Sequence, residues 1–310
     1  MSHDDTELRE ARRLVRQPFR GPVVDGRPAG KPPATWRRRV QRLLVSKGER
    51  EEAELEWLLG RQPVVSRPNV VAVISPKGGV GKTTSAFVIG GVLADRLRLR
   101  VIAVDANPDF GTLAALAPDG LRSERSLADL LTDIEQIETA AQLRPYVSAL
   151  PSGLHLLGAP ADAEVMARVG PDAYGELVAL LGTFYELVLL DLRTGVAGRL
   201  AQFAIARADQ LMLVTTPESA ASSVVLAAFQ DLHQERTILA VNKFYARGPA
   251  DLRALERRLR ERGLHRSVAI PHDDQLAAML DTATYQLEAL ERTSRVAIKR
   301  LALAVAEQLV

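Results

Sequence analysis

The strongest constraint on this chain is a single junction. An apolar run, Asn69-Val70-Val71-Ala72-Val73-Ile74, leads directly into Ser75-Pro76-Lys77-Gly78-Gly79-Val80-Gly81-Lys82-Thr83-Thr84. The β-branched run has the composition of a buried parallel strand. Ser85 to Leu97 follows, with apolar residues at Phe87, Val88, Val92 and Leu93, and reads as a helix. Strand, glycine loop and helix in that order are the setting a phosphate-binding loop requires. The three glycines let backbone N–H groups turn inward toward an anion without a Cβ in the way. The positive end of the following helix points at the same place. Gly78, Gly79, Val80, Gly81, Lys82, Thr83 and Thr84 are therefore the expected cradle. Lys82 reaches the β- and γ-phosphates, and the Thr83 hydroxyl holds Mg²⁺. The competing reading is a glycine turn with two surface lysines.

Composition narrows the rest. A chain of 310 residues can bury one full α/β core plus an appendage. No apolar run is long enough to span a bilayer, and Met1 to Glu10 is polar and acidic rather than signal-like. The absence of cysteine excludes disulfides, zinc-thiolate sites and iron–sulfur ligation together. The five histidines, at 3, 155, 233, 265 and 272, show no ligand spacing, so Mg²⁺ is the one metal expected.

Charge is unevenly placed. Residues 1–50 hold 13 Arg/Lys against 6 Asp/Glu, an excess of +7 in a chain whose net charge is +2. Residues 1–35, crowded with Pro, Gly and Arg, have too few apolar side chains to offset the entropy of ordering and are expected to be a flexible tail. Residues 36–69 read as two short helices and a linker. In the first, Trp36, Val40, Leu43 and Leu44 make an apolar stripe beside Arg37, Arg38, Arg39 and Arg42. Such a helix suits an anionic membrane surface or nucleic acid, or it docks on the protein's own core. The second, Glu51 to Leu59, is acidic and carries Leu55, Trp57, Leu58 and Leu59.

From residue 70 to 310 strands and helices alternate. The fold class is α/β: a P-loop NTPase with a mostly parallel central sheet covered by helices on both faces, plus the basic N-terminal extension. Candidate strands are Val70–Ser75, Arg100–Asp105, Leu154–Gly158, Glu186–Leu192, Gln210–Thr215, Thr237–Val241 and Ser267–Ile270. Helices are expected near 84–97, 126–134, 172–182, 196–207, 219–233, 250–262, 273–282 and 293–309. The strand Leu187-Val188-Leu189-Leu190 ends in Asp191, a Walker B pattern. Its carboxylate suits a Mg²⁺-bound water, because a hard cation prefers oxygen ligands and retains several waters.

The loop departs from G-x-x-x-x-G-K-[ST] at its front, where Pro76 stands at the first glycine. Lys77-Gly78-Gly79-Val80-Gly81-Lys82-Thr83 resembles instead the deviant Walker A loop of the ParA/MinD family of ATPases. The resemblance covers residues 70–310. It implies ATP and Mg²⁺ as cofactors and a homodimer formed with ATP, in which Lys77 crosses the interface to the partner's phosphates. It also implies roles for Asp105, matching the first residue of the family's Asp-x-Asp motif, and for position 107, which places the attacking water in the family. Here that position is Asn107, so hydrolysis is expected to be slow. Leu192-Arg193-Thr194-Gly195 matches the family's phosphate-sensing switch. Asn242 and Pro271 fall at its adenine-contacting positions, and Tyr245 occupies the place where a guanine-selective Asn-Lys-x-Asp motif needs its Asp. Residues 36–69 and the run from Asp105 to Asp109 resemble more loosely the MinD-like ATPases associated with type VII secretion.

The function implied is an ATP-dependent dimerisation switch that positions a cargo such as chromosome, division, polar or secretion machinery. It is expected to be cytoplasmic and associated with nucleoid or membrane in its ATP state. Its implied partners are nonspecific DNA or an anionic membrane surface, and a stimulating or cargo protein. Two rivals stand beside it: a slow or inactive ATP-binding scaffold regulating a secretion apparatus, and a P-loop small-molecule ligase. The arginines from Arg253 to Arg266 read either as a DNA-facing patch or, interleaved with Glu256 and Glu261, as a solvated helix face.

Overall fold

Eight strands alternate with helices along the chain: β1 (Asn69–Ile74), β2 (Val101–Ala106), β3 (Ser148–Ala149), β4 (Leu154–Leu157), β5 (Leu187–Leu192), β6 (Gln210–Thr215), β7 (Thr237–Phe244) and β8 (Arg266–Pro271). The structure, a computed structural model, describes residues 47–107, 112–220, 223–230, 232, 234–244, 249–283 and 286–309. The tail over 1–35, the Trp36 stripe, Pro108, Asp109 and Tyr245 lie outside the described residues. The strands form one sheet in the order β3-β4-β2-β5-β1-β6-β7-β8. All neighbours are parallel except β3 and β4.

This order fixes where a ligand can sit. From β1 the chain moves outward on one side to β2, then returns to lay β5 between them. It crosses to β6 on the other side of β1. The C-terminal end of β1 is thus a switch point where connections leave in opposite directions, opening a crevice. The glycine loop begins at that point.

Both faces of the sheet are covered, which is why β1, β2, β5 and β6 are buried along their whole length. Val71 and Val73 pack with Phe87, Ile89 and Leu93 on one face. Val70, Ala72 and Ile74 pack with Tyr174, Leu177 and Ile205 on the other. The helix Lys82–Arg96 lies close enough to the sheet that a Cβ on Gly90 would come within 2.8 Å of Leu154.

The expected helices are present with shifted ends. The one expected over 219–233 is observed as two, Pro217–Ala220 and Ser223–Gln230. The last, Arg292–Ala306, buries Val296, Ile298, Leu301 and Val305 and is a core helix. Helix Pro249–Arg260 buries Leu255 and Leu259 and exposes Arg253, Arg257, Arg258 and Arg260.

The chain divides into two units, residues 1–54 and 55–310. The helix Lys47–Leu59 is split between them. In the second unit, Leu55 and Leu59 are buried and Trp57 is exposed. Glu56 meets Lys299 at 2.5 Å, and that lysine side chain is only 1% exposed. Leu59 belongs to the same core as Val71 and Phe87, so residues 55–59 are part of the folded unit that carries the loop. Among the described residues no helix is long and apolar enough to cross a membrane.

Candidate nucleotide-binding site

The loop leaves β1 through a tight local turn. Ser75 Oγ accepts from Lys77 N at 3.1 Å and donates to Lys77 O at 2.7 Å. Gly79 and Gly81 then take φ of +73° and +93°, a region that disfavours any Cβ. At Gly81 space forbids it too, since a Cβ would sit 2.2 Å from Asn242 Nδ2. Lys82 opens the helix immediately afterwards.

Asn242 presses on the loop from the end of β7. Its Nδ2 donates to Val80 O at 3.0 Å, and its Oδ1 accepts from Lys243 N at 2.9 Å. Each end of the amide retains one further hydrogen-bonding position. Pro271 closes the neighbouring strand, where it pairs with Phe244. The two expected adenine-contacting residues therefore lie at adjacent strand ends beside the loop.

The acidic side of the site comes from β2 and β5. Their register pairs Asp105 with Asp191, although 86 positions separate the two in sequence. Both are buried, at 1% and 2% exposure. Thr83 Oγ1 donates to Asp191 Oδ2 at 2.5 Å, while buried Asp191 Oδ1 has no hydrogen-bond partner. Asp105 accepts from Asn107 N at 3.2 Å and from Leu113 N at 3.0 Å. Burial pushes the Asp191 carboxyl up to about 7, against the pull of the Thr83 hydroxyl and Lys82, with Asp105 adding to the rise. Burial raises Asp105 too, opposed by its two backbone N–H donors. Lys82 is lowered by burial, with Asp191 opposing.

The switch segment is tied to the same loop. Gly195 N donates to Ser75 O at 2.8 Å, and Lys82 Nζ donates to Thr194 Oγ1 at 3.3 Å. Arg193 is exposed. A cleft of about 1090 Å³ opens beside it, lined by Pro76, Met166, Leu192, Thr194, Leu200 and Val224 among others. Lys77 is exposed at the front of the loop, and Asn107 lies just past β2.

The donors fit a magnesium-bound nucleotide. Two buried carboxylates close to an anion-binding loop would repel a polyphosphate unless a cation lay between them. Asp191 Oδ1 is an orphaned oxygen of the hard type Mg²⁺ prefers, and Thr83 Oγ1 stands next to it. Among the described residues no group of three or more His, Cys, Asp or Glu could cage a metal by itself.

Sequence reasoning overlooked Lys243. It takes φ +54°, and its Nζ donates to Gly79 O at 3.2 Å. The Asn-Lys pair at the end of an apolar strand was its only signal.

A family model described as an AAA domain matches residues 68–238, more than half of the chain. Among curated proteins, the chain is 30% identical over 165 residues to the ESX-1 secretion-associated protein EspI of Mycobacterium tuberculosis, covering 52% of this chain and 24% of that protein. It is 39% identical over 124 residues to the chromosome-partitioning ATPase Soj of Thermus thermophilus, covering 39% of this chain and 44% of Soj. The chain thus spans about a quarter of the first relative's length and less than half of the second's. Its fold resembles that of the septum site-determining protein MinD from Pyrococcus horikoshii, solved with Mg-ADP, at a TM-score of 0.60 and 19% identity, covering 77% of this chain and 96% of that one. The family match covers β1, the glycine loop, β2 and β5 with their two carboxylates, and the chain belongs to the ParA/MinD family of P-loop ATPases.

Proposed function

We infer that this chain is an ATP-dependent dimerisation switch whose slow hydrolysis times the release of a surface or cargo. The observation that carries the reading is the continuity of contacts through the site. Asp191 holds Thr83, Lys82 touches Thr194, and Gly195 is bonded to Ser75 at the root of the loop. A change at the phosphates is therefore felt directly by the segment Arg193–Gly195.

The residues divide the roles. The N–H groups of the loop and Lys82 bind the phosphates; Thr83 and Asp191 hold Mg²⁺, which neutralises phosphate charge when bound. Asp105 fixes the start of the segment bearing Asn107. Asn107 can accept a hydrogen bond from water but cannot take its proton, so turnover is slow. Lys77, whose described contacts are backbone ones to Ser75, reaches the partner protomer's phosphates. Asn242 and Pro271 flank the adenine. Residues 1–35 serve as a tether and residues 36–46 as a basic surface contact. DNA or anionic lipid is the surface class their charge fits. The similarity to EspI favours secretion machinery as the cargo.

The test is sedimentation of the full chain with Mg-ATP, with ADP and without nucleotide, alongside phosphate release with no other small molecule added. Dimer formation confined to ATP, with turnover of about one per minute or slower, is the expected result; a monomer in all three states rejects the switch. The cleft beside Pro76 supports a second reading, a small-molecule ligase. That reading requires ATP consumption to depend on a co-substrate.

A further inference from the structure

Resting on that reading for the nucleotide, we propose that Lys243 is a positioning residue that straps the phosphate loop from outside and holds its N–H groups toward the polyphosphate. The register between β7 and β8 is interrupted between Val241 and Phe244. Within the interruption Lys243 adopts φ +54°, a conformation that residues with a side chain avoid. From there its amine donates to Gly79 O at 3.2 Å, while its neighbour Asn242 donates to Val80 O at 3.0 Å. Two consecutive residues of β7 thus hold two consecutive carbonyls of the loop.

Peptide planarity gives the consequence. In a trans peptide the carbonyl of one residue and the N–H of the next point in opposite directions. Pinning Gly79 O to Lys243 therefore turns Val80 N–H away from β7. Pinning Val80 O to Asn242 does the same for Gly81 N–H. These N–H groups are the donors an anion-binding nest requires. Glycine freedom makes the loop able to adopt this shape but equally able to leave it. Asn242 is wedged against Gly81 and buried, and it supports the rear half of the nest. Lys243 supports the front half from an exposed position, so its removal leaves the core unchanged.

The experiment compares wild type, Lys243→Met and Lys243→Arg in the full chain with Mg²⁺, using equilibrium binding of ATP and, separately, of inorganic tripolyphosphate. Met keeps the aliphatic stem and loses the donor; Arg keeps a cationic donor. Lys243→Met is expected to bind both ligands about tenfold more weakly, since one charge-assisted hydrogen bond is lost. Lys243→Arg is expected to recover affinity to within about twofold of wild type. Tripolyphosphate separates the strap from a contact to base or sugar. Lys243→Met binding tripolyphosphate as wild type does overturns the strap, whatever happens to ATP. Wild type binding neither ligand overturns the nucleotide reading itself, and the strap with it.

Discussion

Replacing Asp191 with Asn isolates the largest titration in the site. Burial lifts the carboxyl from 3.8 to about 7, whereas in the unfolded chain it returns to its ordinary value. Between roughly pH 4 and pH 7 the folded protein therefore keeps a proton that the unfolded chain has released. The sign follows: this proton stabilises the fold at the acid end, and the stabilisation is lost as pH rises through about 7. A tenfold difference in proton affinity is about 1.4 kcal/mol, so the whole span is on the order of 4 kcal/mol. Asn has nearly the same shape, accepts the Thr83 hydroxyl through its carbonyl oxygen, and has no charge to bury. In EDTA without nucleotide, Asp191→Asn is expected to match wild type near pH 4.5 and to exceed its unfolding free energy by about 2–4 kcal/mol near pH 8. Asp105, also raised by burial, leaves the variant a residual slope of the same sign. Mg-ATP reverses the ranking at pH 8, because a ligand held only by the native state stabilises it and the variant has lost the carboxylate facing the cation. Urea unfolding at four pH values, with and without Mg-ATP, measures all of this. Parallel pH curves for the two proteins in EDTA would refute the buried carboxylate as their source.

Four other outcomes test the remaining parts. Lys82→Ala is expected to weaken ATP binding about a hundredfold, since a half-buried charged donor to phosphate is lost. Lys77→Ala should keep nucleotide binding and lose the ATP dimer; sedimentation at saturating ATP decides, and an unchanged dimer removes the cross-interface role. Deleting residues 1–46, which leaves Leu55 and Leu59 in the core and Glu56 paired with Lys299, should keep ATP affinity and reduce pelleting with DNA or anionic vesicles. The lost component should be the salt-sensitive one, since exposed charges are screened beyond about 8–10 Å at physiological ionic strength; unchanged pelleting shows that the segment makes no surface contact. Asn107→Asp should raise single-turnover hydrolysis, by about tenfold, because a carboxylate can take the proton of the attacking water; a wild-type rate at or above the variant's rules out the missing carboxylate as the brake.

The central strands were legible because burial on both faces leaves an unbroken apolar run, and the runs of β1, β2, β5 and β7 lead into the residues that matter, Ser75, Asp105, Asp191 and Asn242. β3 was not, since two residues at the sheet edge carry no alternation to detect. The short helix Ala140–Leu143 had a readable start: Thr139 and Gln142 form a reciprocal capping box. The pairing of Asp105 with Asp191 lay beyond sequence reasoning, because it depends on β5 inserting between β1 and β2, a matter of strand order. The partner of Glu56 was out of reach for a similar reason. Lys299 stands 243 positions later, on a helix whose burial is set by the apolar residues around it. Local pattern names the donors and acceptors; topology decides which of them meet.

The same topology explains what gives so short a loop its shape. Ser75 is tied to the segment after β5, Thr83 to the end of β5 itself, and Gly79 and Val80 to the end of β7. Strands from both sides of the switch point therefore hold one stretch of glycine-rich backbone. Such backbone has little stiffness of its own, so its shape is set by those strand ends. Gly195 and Thr194 belong to this set, bonded to Ser75 and Lys82. These are the residues on which the cleft beside Pro76 is built. Lys77 remains outside this set, exposed and bonded only through its backbone to Ser75 among its described contacts. That exposure is what the cross-interface role proposed for Lys77 requires, since a side chain folded back onto its own loop could not reach a second protomer's phosphates.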